Sequence, residues 1–177
     1  MRCLPRLGFS REKDESGQAL VEFTLVLVLF LLLVSGLADF GLMFGRQLTI
    51  NDAARAGARW AAIHPTAWSN SATPPSNTIE GQVQATSAMG TVPNDDTHIV
   101  ITYLAPTGST AVVCGKYSAT SNGFVAQNSY TQATCLVAGT LVQVQINVTY
   151  PFATPLLAQQ FGAGIPITST ATMLEES

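Results

Sequence analysis

GQALVEFTLVLVLFLLLVSGLADFGLMF, residues 17–44, is the stretch that decides the architecture of this chain. From Phe23 to Ala38 it carries no charge, and from Ala19 to Phe44 it is overwhelmingly apolar. A bilayer core of about 30 Å needs roughly 20 apolar residues in a helix. Ala19 to Ala38 supplies that length and is interrupted by one acid, Glu22. The preceding leader, Met1 to Ser16, holds Arg2, Arg6, Arg11 and Lys13, so the positive-inside bias predicts a cytoplasmic leader and an exported C-terminal portion. Glu12, Asp14 and Glu15 weigh little in that rule. The alternative, a buried core helix of a soluble protein, is disfavoured because the rest of the chain offers too few apolar partners.

The helix is expected to outrun the membrane. Asp39 to Ile63 contains no proline, and Asn51 to Ala62 is rich in helix formers. Ala54, Ala58, Ala61 and Ala62 form a stripe of small side chains at helical spacing, which allows close helix packing. Asp52 can reach Arg55 three positions on. Pro65 stops the run. A helix from about Gln18 to Ile63 would span roughly 70 Å at 1.5 Å per residue, too long for a bilayer alone. It reads as a membrane anchor continued into a stalk.

Bulk composition narrows the classes. Of 177 residues, 47% are hydrophobic and 11% charged, with a net charge of -3. Seven of the eight basic residues precede Ala61, leaving Lys116 alone in the remainder, so no basic surface for nucleic acid is expected. No cofactor or metal site is expected either, because the two histidines and three cysteines lack ligand spacing. His64 abuts the helix-ending proline and His98 is expected on the polar face of a strand. Asp95-Asp96 matches no dedicated calcium loop and reads as a solvated turn. Trp60 and Trp68 bracket the helix end as packing residues. Asn147-Val148-Thr149 matches a glycosylation acceptor but lies within a predicted strand. No nucleophile–base set, phosphate loop or carboxylate pair supports an enzyme.

The portion after Pro65 is expected to fold as a small head. Pro65 to Asn77 reads as a loop. Asn77 with Glu80 resembles a capping pair that opens a helix to about Met89. Pro93 to Asp96 reads as a turn and Ile99 to Tyr103 as a strand. Leu141 to Tyr150 alternates most clearly, with Val142, Val144, Ile146, Val148 and Tyr150 on one face and Gln143, Gln145, Asn147 and Thr149 on the other. Ile165 to Leu174 makes a further strand and Pro155 to Phe161 a helical turn. The Gly- and Asn-rich stretch from Cys114 to Cys135 reads as irregular hairpins or loops. In an exported head these two cysteines can pair, closing a loop that contributes on the order of 3 kcal/mol; two free thiols are the alternative. The predicted fold is α+β: a long N-terminal transmembrane and stalk helix with a small extracytoplasmic antiparallel β-sheet head packed on the helix's outer half. The expected segments are a leader, 1–17, a helix, 18–64, and a head, 65–177.

Gly17-Gln18-Ala19-Leu20-Val21-Glu22-Phe23 resembles the cleavage signal of type IV prepilins, in which a membrane peptidase cuts after the glycine, here between Gly17 and Gln18. Glu22 is costly inside a membrane and implies a partner. The α-amino group created on Gln18 of one subunit could be neutralised by the Glu22 carboxylate of another, registering the two. The alternative is that Glu22 merely marks the interfacial end of the helix. Together with Ala38-Asp39-Phe40-Gly41 and Asn51-Asp52-Ala53-Ala54-Arg55-Ala56-Gly57-Ala58-Arg59, the stretch is similar to the TadE-like family over about residues 16–59. Tyr150-Pro151-Phe152, Thr154-Pro155-Leu156 and the Thr-rich final strand resemble the tails of such proteins. Gln18, rather than phenylalanine, departs from the wider type IV pattern at the position after the cut.

The resemblance implies a pseudopilin or minor pilin of the tight-adherence (Tad) pilus or secretion system, with adhesion as the system's output. The implied partners are the inner membrane, a prepilin peptidase, other pilin or pseudopilin subunits and the Tad assembly machinery. The implied location is the bacterial inner membrane, single-pass with the C-terminal portion outside, and the pilus after assembly. The competing reading is an envelope binding or adhesive domain that does not assemble, either permanently anchored or released by ordinary signal peptidase after Gly36-Leu37-Ala38.

Overall fold

The computed structural model describes residues 12–87, 92–107, 110–155, 158–159, 162 and 164–176. A long helix, α1 (Glu12–Ile63), precedes a five-stranded antiparallel sheet, as the α+β expectation required. The chain divides into two compact units, one ending at Phe40 and the other beginning at Gly41. The second unit therefore takes in the last turns of α1 as well as everything after it. Leader residues 1–11, the expected helix end at Met89 and most of the expected helical turn Pro155–Phe161 lie outside the described residues.

α1 begins at Glu12, six residues before Gln18. The helix passes through the expected cleavage point without a break. It ends where expected. His64 N–H donates to the Trp60 carbonyl and Pro65 cannot extend the ladder. The backbone N–H of Glu176 returns to donate to the Ala62 carbonyl, satisfying one of the acceptors that a helix C-terminus leaves open.

Within the second unit, α1 presents its smallest side chains to the head. Ala53, Ala54, Ala58 and Ala61 are fully buried, with Ile50 beside them. At Gly57 even a methyl group would come within 2.6 Å of Val83 Cγ2 and 3.4 Å of Val144 Cγ1. The small-residue stripe is thus filled by the head of the same chain. Asp52 and Arg55 stand 3.7 Å apart on the exposed side, a pair of little energetic weight.

The sheet supplies the other half of this core. Its order is β3-β2-β1-β4-β5, with β1 (Ile99–Thr107), β2 (Thr110–Ser118), β3 (Gly123–Ala126), β4 (Leu141–Tyr150) and β5 (Ile165–Leu174). Ile99, Ile101 and Tyr103 of β1 pair with Ile146, Val144 and Val142 of β4, and all six are buried. Val148 is half-buried, and Gln143, Gln145 and Asn147 take the opposite face. The stretch read as irregular hairpins or loops around Cys114 instead contains ordered strands: β2 and β3 pair through a four-residue turn, 119–122. Asn122 closes that turn at φ 46°, and its side-chain oxygen accepts from Tyr117 Oη. The β1–β2 register slips between Tyr103 and Leu104, leaving Cys114 as the extra residue of a bulge. Cys114 is joined to Cys135 at the end of the short helix α3 (Gln132–Cys135), with Cα atoms 5.6 Å apart and both residues fully buried.

α2 (Ile79–Thr86) is capped by Thr78, whose hydroxyl accepts from Gly81 N–H, rather than by Asn77. It stops at Ser87, whose N–H bonds Val83 O, short of Met89. Moving the cap one residue changes the fate of Glu80. It no longer stands at the third helical position to complete a capping box. Glu80 is fully buried instead, and its Oε2 accepts from the backbone N–H of Ser69 while Oε1 has no partner. Around it the Pro65–Asn77 loop is tied down. Trp68 Nε1 donates to Tyr103 Oη at 2.8 Å, Tyr103 Oη donates to the Pro65 carbonyl, and Asn94 Nδ2 donates to the Ser69 and Ser71 carbonyls. The Trp68 ring also stacks on Tyr117 with centroids 5.5 Å apart.

Two predictions follow from this core. Replacing Cys114 and Cys135 by serine should lower the unfolding free energy by about 2–5 kcal/mol, read from denaturant melts of the full chain in detergent. Equal midpoints for the variant and the untreated wild type would exclude a stabilising bond. Burial pushes the Glu80 carboxyl from 4.5 up to about 7, against the backbone hydrogen bonds that partly oppose it. The folded state then holds this proton more tightly than the unfolded chain. The stability Glu80 allows is complete below pH 4.5 and falls by roughly 3 kcal/mol as pH rises through 7. Glu80→Gln should flatten the difference between melts at pH 5 and pH 8; an unchanged slope would assign the pH response elsewhere.

Candidate functional site: the exposed apolar helix

The residues singled out for processing and registration lie on the first unit's helix. α1 contains one segment, within Gly17–Ile63, long and apolar enough to cross a membrane, and none of its most apolar window is buried within the protein. Phe23, Leu25 and Leu29 each expose about two-thirds of their surface. Water would oppose such a run of apolar side chains, whereas lipid or neighbouring helices would cover it.

Polar groups on this run are of two kinds. Thr24 Oγ1 donates to the Leu20 carbonyl at 2.7 Å and Ser35 Oγ to the Leu32 carbonyl at 2.9 Å. Each hydroxyl is satisfied by its own helix and can enter an apolar medium. Glu22 differs, being exposed and, among the described residues, without a hydrogen-bond or ion-pair partner. Gln18 precedes it by four positions and so shares its face of the helix. Gly17 is exposed, with open space around it. An ionisable group on an apolar surface calls for a counter-charge, and among the described residues none pairs with Glu22.

The other polar candidates are committed internally. His98 lies in the turn before β1, not on a strand face, because its Nδ1 reaches back to the Asp95 carboxylate at 2.7 Å. Burial works to raise the Asp95 carboxyl, but hydrogen bonds from Thr97 and His98 outweigh it and hold the group well below the usual carboxylate range. Asp96, lowered in the same way, accepts from Ser118 Oγ, Ala119 N–H and Thr120 Oγ1. The pair therefore fastens the 95–98 turn to the β2–β3 turn. His64 stacks on Trp60 with centroids 4.4 Å apart. Arg46 lies over the Tyr150 ring, 5.7 Å from its centroid. Burial raises the hydroxyl of Tyr103 above its usual range and pushes Tyr117 up to about 12, as befits phenols held neutral in a core. No group of three metal-ligating side chains occurs among the described residues. The Glu80–Trp68–Tyr103 cluster escaped the sequence reading, since Glu80 looked like a capping residue and the aromatics are far apart in the chain.

No curated protein and no solved structure matches this chain significantly. Residues 17–59 match the family model described as TadE-like protein, and the whole head lies outside that match. Glu22, the Gly17–Gln18 junction and Ala53, Ala54, Gly57 and Ala58 of the small-residue face fall inside it, while Ala61 and Ala62 lie just beyond its end, so the TadE-like match falls within α1.

Proposed function

We propose that this protein is a membrane-anchored structural subunit, a pseudopilin or minor pilin of a Tad-type pilus or secretion system, cut by a prepilin peptidase between Gly17 and Gln18. The TadE-like match implies a pilin-like protein associated with the Tad pilus, from a structural family not known for catalysis. The observation that carries the finer reading is Glu22, a carboxylate without a partner among the described residues on an exposed apolar helix. Cleavage four residues upstream would create an ammonium group on Gln18. In a low-dielectric bundle of such helices, pairing that ammonium with a neighbour's Glu22 removes two unmatched charges together and sets the axial offset between subunits. In the inner membrane the same helix serves as a single-pass anchor, with the head outside.

The test is the mature N-terminus, read by mass spectrometry in membrane and sheared-surface fractions. A start at Gln18 in both is expected. Gly17→Val should leave the leader attached and empty the sheared fraction. Glu22→Gln should be cut normally yet fall by roughly tenfold or more in the sheared fraction, the loss set by an unpaired buried ammonium. A start at Asp39 would mean a released domain, and an intact leader on wild-type protein would mean a permanent anchor; either result would sink the proposal.

A further inference from the structure

Glu80 stands in the first turn of α2, fully buried beneath the loop that joins α1 to α2. Its Oε2 accepts from Ser69 N–H at 3.0 Å, and its Oε1 has no partner. A carboxylate taken out of water needs a cation or several donors to stay ionised. Among the described residues it forms no ion pair. From β1 it faces the phenol of Tyr103 and from β2 that of Tyr117, and both feel its charge. Glu175, after β5, and Asp96, in the turn before β1, act on these same phenols and add only negative charge. Arg55, Arg59, His64 and Lys116 are exposed, and His98 is taken by Asp95. α2 has no second charged side chain.

The loop above Glu80 is fastened at two points that do not involve the carboxyl. The Ala67 carbonyl accepts from Ile79 N–H at 2.8 Å. The Pro75 carbonyl accepts from Thr78 N–H at 3.1 Å and from Thr78 Oγ1 at 2.7 Å. Gly81 permits that closeness, since a Cβ there would run into the Pro75 oxygen. Between these points, residues 69–73 are tied to the rest of the head by two side chains. One is Glu80, through Ser69 N–H; the other is Asn94, whose Nδ2 donates to the Ser69 and Ser71 carbonyls at 2.6 and 2.8 Å. Their other hydrogen bonds run among Ser69, Ser71 and Thr73. Residues 70–73 are exposed. A short segment with few outside bonds and no buried side chain opens at low cost.

We propose that residues 69–73 form a pH-operated flap over Glu80, closed while its carboxyl is protonated and lifted to admit water when it ionises. The flap belongs to the head alone and does not depend on the pilin-like reading. Ionisation strengthens the single bond from Ser69 but leaves Oε1 bare, so the charge is relieved only by water. The other walls yield less readily. Ile79 and Val83 of α2 lie against Gly57 of α1, and Tyr103 is held by Trp68 and the Pro65 carbonyl. Burial outweighs the opposing backbone bonds and sets the covered carboxyl at about 7, against 4.5 in water. The closed flap therefore holds the proton more tightly than the open one. Closure is firmest below pH 4.5, and opening gains steadily until about pH 7. Between pH 5 and pH 8 the opening equilibrium should rise by up to about 70-fold.

The test is hydrogen exchange of the full chain in detergent, read by mass spectrometry at the Ser69, Ser71 and Thr73 amides and corrected for the intrinsic pH dependence of exchange. Protection there should fall by at least about tenfold from pH 5 to pH 8, while β1 and β4 keep theirs. Glu80→Gln retains an acceptor for Ser69 but cannot ionise, and should be equally protected at both pH values. Equal wild-type protection at the two pH values would overturn the proposal, as would a fall that Glu80→Gln also shows. A matching loss in β1 and β4 would mean that the whole head unfolds, and would overturn it too. Should Glu80→Gln fail to fold, Asn94→Ala carries the test. Loss of its two bonds should speed flap exchange at pH 5 by about tenfold and leave the pH response in place; unchanged exchange would refute the flap.

Discussion

The sheet of this protein rests on a helix face made almost wholly of alanine and glycine, and the closeness of that contact governs the rest of the head. A methyl group at Gly57 would already collide with Val83 and crowd Val144. Side chains of that size leave room for β-branched residues of α2 and the sheet, Val83, Ile79 and Val144, to come up against the helix, so Ala53, Ala54, Ala58 and Ala61 are fully buried without contributing much volume of their own. The consequence is a division of labour along one helix. The small-residue stripe after Gly41 is spent on the head's interior, and contact with lipid or other subunits falls to the large residues before it.

That division follows from solvent preference. Apolar side chains between Leu20 and Leu37 are left exposed by the described residues. In the head, Ile99, Ile101 and Tyr103 of β1 stand opposite Ile146, Val144 and Val142 of β4, and all six are buried. Hydroxyls on the exposed run turn inward to their own helix, as groups bound for a medium without water must. Glu22 has no such bond among the described residues.

Much of this was legible from pattern alone. β4 and β5 were read with their observed limits because a half-buried strand alternates with period two, and the helix was read from apolar length and the lack of proline. The alanine stripe was visible too, but not the partner that fills it, since the periodicity of a helix names a face and not what covers it. The β2–β3 hairpin was obscured by glycine and asparagine, which mark turns locally. Here Gly115 is required because the Phe124 ring lies where a Cβ would stand, and Asn122 because the turn needs a positive φ. Glu80 was misread by one residue of capping register. Thr78 and Asn77 are both competent caps, and only the loop packing through Trp68 and Asn94 selects between them.

The chemistry of the head is largely turned inward. Asp95, Asp96 and His98 are occupied in turn-to-turn hydrogen bonds, Glu80 is sealed beneath a loop, and the described metal-capable groups do not cluster. Among the described residues, what the molecule keeps outward is geometric instead: an apolar helix carrying the carboxylate of Glu22, and a sheet with two uncharged edges running in the same direction. A catalyst concentrates reactive groups in a sheltered cleft, because desolvation strengthens them there. A subunit instead does better with few reactive groups and surfaces that repeat in one direction, because each added copy must leave the same contact open for the next. The described polar groups of the head, tied up in internal hydrogen bonds, agree with the pilin-like role proposed from the TadE-like helix.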